Sequence, residues 1–175
     1  MAVRLSLPRG YRGRTVLTEN DLIIRVNPTL TADELFAFYE RNNICEVGFG
    51  KEKAARVLQH PHLIVAAYEG GELVGLARAM FDGLSAHVME FSLDLRRQGG
   101  DPSYANGSLI ESDNNGVGRR LGERLLNELE AMGASFITCY IVANCEEQFY
   151  QSLGFRENEG HLVYCIDKRP YVQDR

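Results

Sequence analysis

Two runs of strand-forming residues, Leu63 to Glu69 and Glu72 to Phe81, are separated only by Gly70-Gly71. A connection that short closes an antiparallel hairpin, and its turn needs the positive φ that glycine adopts without steric cost. The segment therefore predicts the antiparallel start of a sheet. A third antiparallel strand follows, from about Ala86 to Leu95. Alternation puts His87, Met89, Phe91, Leu93 and Leu95 on one face and Val88, Glu90, Ser92 and Asp94 on the other. Two carboxylates on one face of an otherwise core-like strand mark that face as a candidate for chemistry.

The rest of the chain arranges itself around this meander. Leu22 to Val26 reads as a first strand, ended by Asn27-Pro28. Thr31-x-x-Glu34 is a capping box, opening a helix whose Leu35, Phe38 and Tyr39 share a face. A loop over 42–49 and a short helix over about 50–59 come before the hairpin. Beyond the third strand, residues 96–112 form a long polar connection with Gly99-Gly100, Pro102 and Asn106-Gly107. A helix over 116–131 then carries Val117, Leu121, Leu125 and Leu129 on one stripe and ends at Gly133. Phe136 to Val142 is a strand, Asn144-x-x-Glu147 opens a short helix that Gly154 ends, and Leu162 to Ile166 is a last strand. The order is β-α-α-β-β-β-α-β-α-β: an α+β protein with a mixed central sheet, an antiparallel N-terminal meander and flanking helices. No repeat or low-complexity linker divides it, so a single domain is expected over 20–175, preceded by a basic arm over 1–20.

Charge narrows the partners. The 175 residues have a formal net charge of −5, which gives no reason to expect nucleic acid. Arg4, Arg9, Arg12 and Arg14 lie within residues 1–14, which hold no acid, and the remainder has 15 basic and 24 acidic residues. The arm lacks the apolar core of a secretory signal, and no run approaches the roughly 20 apolar residues of a membrane span, so a cytoplasmic location without membrane contact is expected. Cys45, Cys139, Cys145 and Cys165 form no Cys-x-x-Cys pair, and His60, His62, His87 and His161 complete no metal-ligand spacing. No metal is expected.

Asn115-Gly116-Val117-Gly118-Arg119-Arg120 lies at a helix start. The first N–H groups of a helix have no intrahelical partner, and the macrodipole adds positive potential there. Two glycines let a phosphate approach the backbone, and Arg119 and Arg120 add charge. No Gly-Lys-Ser/Thr follows, which excludes a nucleotide triphosphatase loop. No Gly-x-Gly-x-x-Gly follows the first strand, which argues against a dinucleotide fold. Taken alone, Gly-x-Gly before a helix is a weak signal.

A second block is more specific. Asn144-x5-Tyr150-x-x-Leu153-Gly154-Phe155 follows the strand after the glycine helix. With this block, the glycine loop and the order of elements, the sequence over about 20–167 resembles the GNAT superfamily of acyl-CoA-dependent N-acyltransferases. The resemblance implies acetyl-CoA as co-substrate, its pyrophosphate on the amides from Asn115 through Gly116, Val117, Gly118 and Arg119 to about Arg120. It implies Asn144 on the pantetheine arm, which would enter between the strand 86–95 and the strand 136–142. Backbone N–H groups around Phe91 to Leu93 would then face the thioester oxygen, and Tyr150 would protonate the leaving thiolate. For the base that frees the amine, Glu90 is the first choice, with Asp94, Glu111 or water as alternatives. Asp113 stands where the family carries Arg or Gln. Glu46, Glu90, Asp94 and Glu111 suggest a cationic acceptor, a small-molecule or peptide amine, and the resemblance allows a homodimer. The expected function is acetyl transfer to a primary amine by direct attack. The alternative is a non-catalytic acyl-CoA-binding or regulatory protein on the same fold.

Overall fold

A computed structural model describes residues 22–45, 48–60, 63–99 and 101–166. The basic arm, Glu46 and His62 lie outside the described residues. The elements are β1 (Leu22–Val26), α1 (Ala32–Arg41), α2 (Lys51–Leu58), β2 (Leu63–Glu69), β3 (Glu72–Phe81), β4 (Ser85–Leu93), α3 (Leu95–Gln98), α4 (Val117–Ala131), β5 (Phe136–Cys139) and α5 (Glu147–Ser152). The strands form one sheet in the order β1-β2-β3-β4-β5, antiparallel except for the parallel β4–β5 pair.

Local chemistry accounts for the ends of these elements. The Thr31 hydroxyl accepts from the Glu34 amide at 3.2 Å and caps α1. Gly70 and Gly71 both take positive φ, 56° and 84°, as the tight β2–β3 hairpin demands. The sheet is covered on both faces. Leu121, Leu125 and Leu129 of α4 and Phe149 of α5 pack on Val65, Ala67, Val74, Ala77 and Leu93. Leu35, Phe38 and Tyr39 of α1 pack with Ala54 of α2 on Ile64, Ala66, Tyr68 and Leu76. Coverage from both sides explains why β2 is buried at six successive positions and does not alternate.

Four sequence expectations are corrected. The alternation assigned to the third strand breaks at a β-bulge: Arg78 pairs with Glu90 but Ala79 pairs with Val88, leaving Met89 as an extra residue. One inserted residue reverses the parity of everything beyond it. Ala86 and Val88 before the bulge and Phe91 and Leu93 after it therefore join the same core. The strand also stops at Leu93, because the buried Asp94 side chain accepts from the Arg96 amide and starts α3 inside the expected connection. β5 is four residues long and ends at Cys139, not at Val142. The expected last strand, Leu162 to Ile166, does not form. Leu162, Val163, Tyr164 and Ile166 are exposed, and strand propensity without a neighbouring ladder does not make a strand.

Candidate functional site

β4 and β5 are paired only where Ser85 to Val88 runs beside Phe136 to Cys139. Past that point the bulge turns β4 and the chain after β5 diverges from it. The gap is a cavity of about 210 Å³, whose lining includes Val88, Met89, Phe91, Tyr140, Glu146 and Tyr150. Tyr150 is 5% exposed and stands among Phe91, Phe149 and Phe155, with ring centroids 6.3, 5.3 and 5.6 Å away. Helix α5 can bring it there because α4 has glycine at the contact. A Cβ on Gly118 would meet Phe149 at 3.0 Å, and one on Gly122 would meet Leu153 at 2.5 Å. Burial, followed by the nearby Glu146 and Cys139, pushes the Tyr150 phenol well above its ordinary value, so it holds its proton at neutral pH.

The sequence reading missed Glu146. It is 3% exposed, and its carboxylate accepts from the amides of Ile110 at 3.0 Å and Val142 at 2.9 Å. It thus ties the long connection to the segment after β5. Burial raises its carboxyl above the ordinary range against the opposing pull of these two amides. Nothing in the Glu146-Glu147 doublet sets Glu146 apart; only tertiary contacts do.

A second cavity, of about 240 Å³, adjoins the first and shares Met89, Glu90 and Ser108 with it. Glu90 borders both, but its oxygens are engaged. Oε2 accepts from Arg78 Nε at 2.5 Å and from the Tyr39 hydroxyl at 2.7 Å, and Oε1 accepts from Ser92 Oγ at 2.9 Å. Burial, then Glu90, drives the Tyr39 phenol far up, which fixes it as the donor. Arg78 and Tyr39 are further site groups that sequence reasoning passed over, each looking like a residue of a regular element.

At the start of α4, Gly116 is the N-cap with φ 67°, and a Cβ there would meet nothing within 4 Å. The amides behind it already have a partner. The Asp113 carboxylate accepts from Gly118 N at 3.0 Å and from Arg119 N at 2.7 Å. An anion therefore does sit on this helix terminus, and it belongs to the chain itself. The expectation that all amides from Asn115 to Arg120 are available is corrected for Gly118 and Arg119, and Arg120 N closes onto Gly116 O inside the helix. The Arg119 guanidinium is paired with Glu123 at 2.8 Å.

Other expected roles are also displaced. The Leu93 amide donates to Gly107 O at 2.8 Å, because the long connection returns along β4, so it is not free to face a thioester. Phe91 remains in the wall of the first cavity. Asn144 is exposed with φ 62°, and its amide is bonded by the Glu147 carboxylate. Asp94 is buried beneath Arg41 and Arg96 and faces neither cavity. Glu111 caps the amides of Ser103 and Tyr104, both at 2.8 Å. Of the four carboxylates expected to attract a cation, the described ones reduce to Glu90. Among the described residues no group of His, Cys, Asp or Glu is placed to hold a metal ion, and no helix is long and apolar enough to cross a membrane.

No protein-family model matches this sequence, and no curated protein matches it. Solved structures do match. A GNAT-family acetyltransferase from Streptococcus pneumoniae is 19% identical, with 85% of this chain and 99% of that chain covered and a TM-score of 0.62. An aminoglycoside acetyltransferase from an uncultured soil metagenomic sample is 15% identical over 85% of this chain and 99% of that one, TM-score 0.59. Glucosamine-6-phosphate N-acetyltransferase from Arabidopsis thaliana is 14% identical over 83% and 99%, TM-score 0.59. The fold is that of the GNAT acetyltransferases.

Proposed function

We propose that this protein is an acyl-CoA-dependent N-acyltransferase that moves an acetyl group to a primary amine within a ternary complex. The observation that carries the reading is Tyr150, a protonated phenol with no hydrogen-bond partner among the described residues, in the cavity where the parallel strands part. Acetyl-CoA is the acyl donor in this reading. The cavity beside Phe91 and Tyr150 suits the thioester end. The open space around Gly116 suits a phosphate, provided that Asp113 yields Gly118 N and Arg119 N.

The chemistry requires a neutral amine, a C–N bond formed as the C–S bond breaks, and a proton for the departing sulfur. Tyr150 is placed to give that proton, a transfer typically worth ~10²–10⁴-fold. Glu90 stands where the two cavities meet. Because Arg78, Tyr39 and Ser92 already donate to it, its role is to hold an incoming ammonium, with water carrying the proton away.

Product formation from acetyl-CoA and a panel of primary amines, followed by mass spectrometry, tests the proposal. Amide product that needs Tyr150 supports it. Acetyl-CoA binding with no product from any amine supports the second reading, a non-catalytic acyl-CoA-binding protein. The Gly107 carbonyl on Leu93 N, which removes a donor for the thioester oxygen, favours that second reading.

A further inference from the structure

The second cavity has a chemistry of its own. Arg78 is the cross-strand partner of Glu90, and its side chain is 16% exposed. Its Nε is committed to Glu90, and the Tyr39 hydroxyl lies against the same guanidinium. Arginine carries five N–H donors in a planar fork and binds carboxylate with two of them at once. Beyond Glu90 and the Tyr39 hydroxyl, no hydrogen-bond acceptor for the Arg78 guanidinium is found among the described residues, and Arg78 lines the cavity. The remaining walls are largely apolar: Ile44, Phe49, Val57 and Met89.

These features select among amines. Glu90 and Arg78 compensate each other, so a polycation gains no net attraction from the pair. A hydrocarbon amine satisfies Glu90 and the apolar walls but offers no acceptor to the guanidinium, whereas a carboxylate makes charge-assisted bonds with it. A zwitterion with an apolar side chain answers all three. Size agrees: about 240 Å³ lies below the roughly 300–1,000 Å³ of pockets for drug-sized ligands, a scale that suits one amino acid.

We propose that the acceptor is a small α-amino acid with an apolar or aromatic side chain. Its carboxylate rests on the Arg78 Nη groups, its amino group lies beside Glu90 at the junction with the Tyr150 cavity, and its side chain lies among Ile44, Phe49 and Val57. The proposal rests on the acyltransferase reading and names its acceptor. The product is the N-acetyl amino acid and free thiol, with one proton released for each ammonium consumed.

The test separates the two readings. Binding of L-phenylalanine and of phenethylamine, which differ only by the carboxylate, is measured by calorimetry on the full chain. N-acetylation of each is followed by mass spectrometry. L-Phenylalanine is expected to bind at least tenfold more tightly, and in Arg78→Lys, which keeps the charge but loses the fork, the preference falls to about twofold or less. Equal affinities in the native protein overturn the proposal. So does a preference unchanged in Arg78→Lys, or binding of sisomicin or glucosamine 6-phosphate alone. N-acetylphenethylamine formed without preference for the amino acid leaves acyl transfer standing and removes Arg78 as the selector. L-Phenylalanine bound selectively with no acetylated product, while acetyl-CoA binds, keeps the ligand class and removes acyl transfer. The native comparison needs no variant, so a folding defect in Arg78→Lys does not shield the proposal.

Discussion

Tyr150 and Asp113 divide the proposed donor site between them. The phenol is buried, raised and without a hydrogen-bond partner among the described residues, so removing its oxygen removes a proton source and little else. Tyr150→Phe is expected to lower kcat by about 10²-fold or more while acetyl-CoA affinity, measured by calorimetry, stays within a fewfold. An unchanged kcat would exclude Tyr150 from proton transfer. Asp113 makes the opposite prediction. Its carboxylate caps α4 through Gly118 N and Arg119 N, the amides a pyrophosphate would take. Asp113→Ala is expected to cost about 1 kcal/mol in urea denaturation, as lost caps do. It is also expected to tighten acetyl-CoA binding several-fold, and weaker binding would show that Asp113 does not compete with phosphate. The departure from Arg or Gln at this position was legible in the sequence. That the carboxylate reaches forward to the helix amides was not, because a loop's path is not encoded in spacing.

At the scale of elements, the contact between α4 and α5 holds the site in register. Gly122 lets Leu153 lie on α4, where a Cβ would come within 2.5 Å of its Cδ1 and 2.8 Å of its Cδ2. Gly122→Ala is expected to destabilise the fold by about 1–3 kcal/mol through overpacking. It also shifts α5, so kcat falls with stability; thermal unfolding and turnover measured on one sample check both. Asp94 fastens a different junction. Its buried carboxylate accepts from Arg41 Nε at 3.1 Å and from the Arg96 amide and side chain, joining α1 to the end of β4. Burial by itself would raise the carboxyl, but these donors outweigh it and hold it below its ordinary value. Its contribution is therefore present above the unfolded carboxyl range and lost as pH falls through the lower folded value. Asp94→Ala leaves Arg41 and Arg96 without it and is expected to cost about 3 kcal/mol at neutral pH. A loss below about 1 kcal/mol in denaturant titration would reduce the cluster to surface charge.

Over the whole molecule, the long connection closes the gap between β4 and β5 from the outside. Gly107 bonds both Leu93 and Asn42, Ile110 is fully buried, and Glu146 bonds Ile110 and Val142. Glu146 reports on this closure through pH. Its folded carboxyl is raised, so the unfolded chain ionises first, and stability from this group is full below the unfolded value and declines as pH rises through the folded one. Glu146→Gln keeps an acceptor and removes the ionisation. The difference in unfolding free energy between the variant and the native protein is expected to move in the variant's favour from about pH 4 towards neutrality. A pH-independent difference would mean that Glu146 titrates as an exposed carboxylate does.

The sequence by itself determined the hairpin, the Thr31 cap of α1, the amphipathic stripes and therefore the layered mixed sheet, because 2.0 and 3.6 periodicities and turn glycines act locally, whereas α5 starts from Glu146 and not from the expected Asn144 cap. It also singled out Tyr150, since Phe149 fits the apolar edge of the same short helix. Tertiary structure decided the rest. A bulge of one residue at Met89 reversed the face of β4 and left Glu90 between two cavities, in the grip of Arg78 and Tyr39 from other elements. A strand exists only where a partner accepts its ladder, so 162–166 kept its pattern and gained no sheet. The charge of the proposed acceptor cavity followed the same logic. Acids counted along the chain suggested a cation site, whereas the fold sent Asp94 and Glu111 to partners elsewhere and balanced Glu90 with an arginine.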